Sequence, residues 1–211
     1  MDEPLQHHCN VFMDLRGFTA WSETVPPAFL ATFMAGVYQQ VLEAFPDAFW
    51  KTLGDGVMCL VPTAIPRDAA TVTAQLAMIV QRIATVEAAF QQASATWTMQ
   101  YGWPVPLAIG WGVTRGLLTV LQCPAYQLTD YVGVDINKAS RLCSLARPAG
   151  LVIDAADFPV MPDEVATWLP AYQLTTEAVT PVRHRVRGIA QPLTVWKLVP
   201  RRMGEWPHSG S

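Results

Sequence analysis

Residues 50–62 read WKTLGDGVMCLVP. Two apolar runs flank Gly54-Asp55-Gly56, a combination that favours a tight hairpin because Gly and Asp both tolerate the positive φ such turns demand. Residues 49–53 and 57–61 are therefore expected side by side as antiparallel strands. The turn alone explains a lone Gly-Asp-Gly, so the carboxylate at its tip gains meaning only from the rest of the sequence.

An apolar run predicts a first strand over 10–15, broken by Gly17, and Pro26-Pro27 suits the first turn of a helix running to about Phe45. A long helix is predicted over 68–94, with Val72, Leu76, Ile79, Val80 and Ile83 spaced along one face. Strands follow over 107–114 and 117–121, either side of Arg115-Gly116, then a helix over 136–146 that stops at Pro148 to Gly150, and a strand over 151–154. A terminal hairpin has Arg187-Gly188 near its turn and 193–198 as its last strand. The order β-α-β-β-α-β-β-α-β predicts an α+β fold: a ferredoxin-like βαββαβ core with extra strands, a largely antiparallel sheet and helices covering one face. One domain is expected over 9–200, between a flexible N-terminus (1–8) and a flexible tail (201–211).

Of 211 residues, 51% are hydrophobic and 15% charged, which points to apolar surface buried between subunits. Prolines and charges interrupt each candidate membrane span, and the acidic start MDEPLQHHCN lacks signal-peptide character, so a cytoplasmic protein without stable membrane association is expected. Cys9, Cys59, Cys123 and Cys143 are scattered with no CxxC pair, which argues against zinc and disulfides and for reduced thiols. A net charge of −3 argues against a nucleic-acid binder, despite the local cluster Arg183 to Arg187.

Asp14 ends the first strand and Asp55 tips the hairpin. If those elements are sheet neighbours, two carboxylates converge, and like charges that close call for a cation; hard oxygen ligands suit Mg²⁺ or Mn²⁺ carrying a phosphate substrate. Leu15 to Thr19 leads into a turn at Gly17, where backbone N–H groups can approach phosphate oxygens. Downstream, DYVGVDINKASRL puts Asn137 and Arg141 four apart on one helix face. An arginine held beside an amide there suits charge developing on a transferring phosphoryl group.

Together these segments resemble the class III nucleotidyl cyclases, the adenylate and guanylate cyclase catalytic domain family. F-x-D-x-x-G-F-T-x-x-S-E is answered by Phe12 to Glu23, K-T-x-G-D-G by Lys51 to Gly56, and G-I-x-T-G by Gly112 to Gly116. D-Y-x-G-x-x-x-N-x-A-x-R is answered by Asp130 to Arg141, and the final basic-Gly turn by Arg187-Gly188. The resemblance implies two Mg²⁺ or Mn²⁺ ions per site held by Asp14, Leu15 and Asp55, and attack of the ribose 3′-oxygen on the α-phosphorus with loss of pyrophosphate. It further implies that Asn137 orients the ribose, Arg141 meets the α-phosphate, and Gly17, Phe18, Thr19, Arg187 and Arg185 hold the triphosphate. These sets come from opposite subunits in the family, which implies a head-to-tail homodimer. Leu121 departs from a glycine common in the arm that meets the partner, and LLTVLQCPAYQLT is unusually apolar.

For the base, the resemblance assigns Lys51 and Asp130 as readers, with Phe18 and Leu53 as walls. Guanine-specific members typically carry glutamate and cysteine there, which disfavours GTP, while adenine and uracil each offer an acceptor beside a donor. Trp50 is a bulky neighbour of Lys51, although strand alternation points it to the other face. A short chain without an attached sensor resembles the bacterial Pycsar cyclases, which implies UTP as substrate, cyclic UMP as product, anti-phage defence as role and a separate cyclic-nucleotide effector as reader. The alternatives are a stand-alone adenylate cyclase and, remotely, a non-catalytic nucleic-acid-binding module.

Overall fold

In the computed structural model, which describes residues 5–105, 107–126, 128–179 and 192–201, the hairpin is formed by β2 (Phe49–Thr52) and β3 (Gly56–Pro62). β3 pairs antiparallel with β1 (Leu5–Arg16), and β1 pairs antiparallel with β4 (Ala108–Cys123). The order β2-β3-β1-β4 is that of a ferredoxin-like core, and the sheet continues through β6 (Gly150–Asp154), β8 (Leu193–Pro200) and β7 (Tyr172–Val179). β5 (Leu128–Val132) pairs with the far end of β4, and among the described pairs only β4–β6 is parallel.

The remaining elements are α1 (Phe18–Ser22), α2 (Pro27–Ala44), α3 (Ala69–Tyr101), α4 (Val134–Leu145) and α5 (Val165–Trp168). Pro27 opens α2. Asp68 caps α3, its carboxylate accepting from the Thr71 N–H at 2.7 Å, and Gly102 ends it at φ 73°.

Strand alternation sorts the side chains into two cores. Cys9, Val11, Met13 and Leu15 of β1 join Ile109, Trp111 and Val113 of β4 under α2 and α3. Phe12 of β1 joins Met58 and Leu60 of β3 on the opposite face, beneath Ala139 and Cys143 of α4. Helices therefore cover both faces, not one: α2 and α3 belong to the βαββαβ core, whereas α4 follows it and crosses beneath.

Three further expectations change. Residues 107–121 do not form two strands, because β4 runs unbroken through Arg115-Gly116 for 16 residues. Its extension pairs Leu5 with Thr119, so residues 5–8 lie in strand and not in a flexible lead. α3 reaches Tyr101, and by length and composition it could cross a membrane, but Val72, Leu76, Ile79, Val80 and Ile83 are all buried in the core as the spacing predicts. The turn of the terminal hairpin lies outside the described residues.

One polar group is committed to the larger core. Glu87 of α3 is 6% exposed and accepts from Trp111 Nε1 at 2.7 Å. Burial pushes its carboxyl up from 4.5 to about 7, against the opposing effect of hydrogen bonds from Trp111 and Tyr172. Between those values the folded chain keeps a proton that the unfolded chain releases, so this contribution is whole below 4.5 and lost as pH rises through 7. Urea unfolding should show stability falling across that window, and Glu87→Gln, which keeps the acceptor for Trp111, should flatten the fall and stabilise the protein at pH 8 by roughly 1–3 kcal/mol.

Candidate active site

The tip of the β2–β3 hairpin is set against the end of β1. Gly54 takes φ 81°, and Leu53 N–H donates to Gly56 C=O at 2.8 Å, closing the turn around Asp55. Gly56 is needed for a different reason: a Cβ there would lie 2.6 Å from the Met13 carbonyl oxygen of the neighbouring strand. Asp14 stands opposite Gly56, and Leu15 N–H donates to the Asp55 carbonyl at 3.0 Å. One glycine thus makes the turn, the other admits β1, and Asp55 is carried to Asp14.

The Asp14 side chain is 35% exposed and takes an ion pair from Arg16, a residue 7% exposed on the same face of β1. Burial raises the Asp14 pKa, Arg16 opposes the rise, and Asp55 adds to it. A cavity of about 160 Å³ opens here, lined by Asp14, Arg16 and Leu53 and, from α4 and beyond, Ser140, Ser144 and Arg147. Among the described residues no group of three or more His, Cys, Asp or Glu side chains is arranged to hold a metal ion by itself. Asp14, with open space beside it and the Asp55 carboxylate near enough to act on its charge, fits Mg²⁺ or Mn²⁺ that completes its shell from substrate phosphate and water. Gly17 takes φ 79° ahead of α1, Thr19 is exposed, and Phe18 packs against Trp21 at the edge of the core.

A second set lies on the α4 face. Lys51 Nζ donates to Asp130 Oδ2 at 2.7 Å, joining β2 to β5. Tyr131 holds β5 there through rings of Phe49 at 4.9 Å and His8 at 5.1 Å. Asp130 also accepts from the Tyr131 N–H, and the Lys51 hydrogen bond lowers its pKa against a smaller effect of burial. Trp50 pairs with Cys59 on the other face and is 46% exposed, so it neither joins the core nor narrows a pocket around Lys51 of its own chain.

α4 presents Asn137 and Arg141 to solvent while Ala139, Leu142 and Cys143 face the sheet. Its seat is a row of small residues on alternate positions of β4. A Cβ at Gly112 would lie 2.1 Å from the Ala139 carbonyl oxygen and 2.2 Å from the Cys143 nitrogen. Thr114 Oγ1 donates to Asp135 C=O at 2.8 Å and accepts from Asn10 Nδ2 at 3.1 Å. Lys138, next to Asn137, lies 3.0 Å from Asp135, 2.8 Å from Asp154 and 3.0 Å from Asp157. Burial alone would lower its pKa, but hydrogen bonds from Lys138 to Asp154, Asp157 and Asp135, together with the charge of Asp157, raise it overall.

Asp14 and Asp55 therefore meet, as do Lys51 and Asp130. The cavity beside Asp14 is lined by Ser140 and Ser144, however, not by Asn137 or Arg141. Arg185 and Arg187 lie outside the described residues. Arg16 and Arg147 escaped the sequence reading; Arg16 could have been found from its i+2 spacing to Asp14, which puts both on one strand face, whereas Arg147 follows a helix end and carries no such signal.

No protein-family model and no curated protein sequence matches the chain. Solved structures do. The adenylyl cyclase CyaB from P. aeruginosa superposes with a TM-score of 0.72 at 20% identity, over 96% of this chain and 98% of that one. The guanylyl cyclase Cya2 gives 0.72 and 20% over 100% and 99%. An adenylate cyclase from Trypanosoma brucei in its monomeric state gives 0.65 and 17% over 98% and 94%. The chain has the fold of the class III nucleotidyl cyclase catalytic domain.

Because backbone atoms of α4 meet Gly112, Gly112→Ala should force α4 outward and destabilise the protein by roughly 2 kcal/mol or more in urea unfolding. Gly36, inside α2, has nothing within 4 Å of its missing Cβ. Gly36→Ala should instead stabilise by up to about 1 kcal/mol.

Proposed function

We propose that the protein is a nucleotidyl cyclase that converts a nucleoside triphosphate to its 3′,5′-cyclic monophosphate and pyrophosphate. The observation that carries this reading is the register of Asp14 opposite Gly56, which brings the neighbouring Asp55 to the same strand end, in a chain that also presents Asn137 and Arg141 from one helix. Mg²⁺ or Mn²⁺ held by Asp14, Asp55 and the adjacent Leu15 backbone would supply positive charge for the triphosphate and for the 3′-oxygen as its proton leaves. Asn137 orients the ribose by hydrogen bonding, and Arg141 presents its guanidinium to charge growing on the α-phosphate. Gly17 and Thr19 offer backbone N–H groups to the phosphates, and Arg187 and Arg185 are proposed to neutralise the terminal ones.

The site is proposed to form between two copies. Asn137 and Arg141 do not line the cavity beside Asp14, so a head-to-tail homodimer would bring each set to the partner's other set. The β4–β5 arm offers the apolar surface for it: Leu117, Leu121, Leu128 and Val132 are each 43–50% exposed, and Val134 is 79% exposed.

Lys51 and Asp130 present a donor and an acceptor, and we read them as the base readers. Uracil and adenine each match that pair, and the preference for UTP rests on the resemblance to Pycsar cyclases alone, since Trp50 faces away. On that reading the product is cyclic UMP, made in the cytoplasm as an anti-phage signal and read by a separate effector; the adenylate cyclase reading is the alternative.

Purified protein with Mn²⁺ and equimolar ATP, GTP, CTP and UTP should yield a cyclic nucleotide identified by mass, cyclic UMP foremost. Cyclic AMP as the main product would reverse the base assignment and leave the cyclase standing. Asp14→Asn or Asp55→Asn should lower turnover by roughly a thousandfold or more with the fold intact. Mixing inactive Asp55→Ala with inactive Arg141→Ala should restore part of the activity through heterodimers. A mixture that stays silent despite demonstrated subunit exchange would place each site within one chain.

A further inference from the structure

Among the described residues, Arg16 is the one basic side chain paired with Asp14 or Asp55. It is 7% exposed, and one of its terminal nitrogens bonds Asp14 Oδ2 while the other bonds the Cys143 carbonyl oxygen. That carbonyl belongs to the last turn of α4, where it also accepts the Ala146 N–H at 3.0 Å and where the helix dipole favours a cation. The seat is shaped for the fork: a Cβ on Gly110 would lie 1.9 Å from an Arg16 terminal nitrogen, and Cys143 Sγ, 3.6 Å from that nitrogen, itself donates to the Gly110 carbonyl at 3.2 Å. Arg16 Nε, buried, has no partner. The guanidinium is thus held by two acceptors on different elements, one of them an oxygen that a divalent cation would need.

We infer that Arg16 is a built-in counter-ion for the metal site: it neutralises Asp14 when no metal is bound and yields that oxygen to an arriving divalent cation while keeping its hold on the end of α4. The inference rests on the reading of Asp14 and Asp55 as metal ligands. Two carboxylates at one strand end repel each other without a cation, and the guanidinium relieves that repulsion in the folded chain. The same contact makes each metal ion compete with a positive charge already in place, so Arg16 sets the metal concentration at which the site fills. Its anchor at Cys143 also makes α4 sense the exchange, because one side chain spans the metal carboxylate and the helix that carries Asn137 and Arg141. Arg16 acts through Asp14 and is a positioning residue.

The test is Mn²⁺ binding to the intact chain without nucleotide, read from the electron paramagnetic resonance of free Mn²⁺. Arg16→Met, which fills the seat without charge, should bind Mn²⁺ about tenfold tighter than wild type, since a charge-assisted contact no longer competes. Arg16→Lys keeps a charge but cannot hold both acceptors with a planar fork, and should fall between the two. In chelator the melting temperature of Arg16→Met should drop, and Mn²⁺ should recover more of it than Mn²⁺ adds to wild type. A side chain that only capped α4 would lower both melting temperatures equally. Affinity that is equal or weaker in the substituted chains overturns the counter-ion role alone. If wild type and Asp14→Asn both lack saturable Mn²⁺ binding, the metal reading falls and the inference with it. Should Arg16→Met not fold, the Arg16→Lys affinity decides in the same way.

Discussion

The close approach of α4 to β4 is the contact on which the site depends. Main-chain atoms of Ala139 and Cys143 occupy space that any side chain at Gly112 would fill. Helix-to-sheet packing ordinarily keeps a layer of side chains between the two backbones; here, at Gly112, β4 contributes none. The helix consequently sits deep, with its buried edge against the sheet and Asn137 and Arg141 left on the outer edge. A shallower helix would move both residues outward and take the Cys143 carbonyl beyond the reach of Arg16. The orientation of the helix that carries Asn137 and Arg141 and the pairing of Asp14 with Arg16 are thus linked through the missing side chain at Gly112.

Electrostatics then fix the helix along its length. Lys138 sits among Asp135, Asp154 and Asp157, and Asp157 in turn receives the Arg115 backbone N–H through its carboxylate and the Arg115 guanidinium through its carbonyl. Burying charges costs several kcal/mol per ion, so such a group adds little net stability compared with an apolar packing of the same volume. It does resist sliding, because displacing Lys138 would leave Asp154, 1% exposed, without its cation. Arg16 at the C-terminal end and Lys138 near the N-terminal end hold α4 from both sides. Two anchored ends and a glycine-lined floor fix where Asn137 and Arg141 stand, as the proposed reaction would require.

Much of this was legible in residue pattern. The Gly54-Asp55-Gly56 turn specifies its hairpin locally, and period-3.6 spacing marked the buried face of α3 because an isolated amphipathic helix already declares which side must leave water. Asp14, Asp55, Asn137 and Arg141 stood out because each lies in a short motif with defined local geometry. The two-strand reading of 107–121 failed for an instructive reason: Gly116 looks like a turn residue, yet in β4 its missing side chain makes room for Asp135 of α4. A glycine that serves a tertiary contact has the same local signature as one that serves a turn.

Sequence alone determined the order of elements through α3, the hairpin, the buried face of α3 and the chemical kinds of residue available, since these follow from backbone preference and from interactions between near neighbours. Only the tertiary structure decided which face α4 covers, that Lys51 meets Asp130, and that Arg16 spans Asp14 and the end of α4. Those outcomes join residues 79 and 127 positions apart. Nothing in local periodicity encodes them, because they are settled by which surfaces of already formed elements can approach one another without clash or unpaired charge.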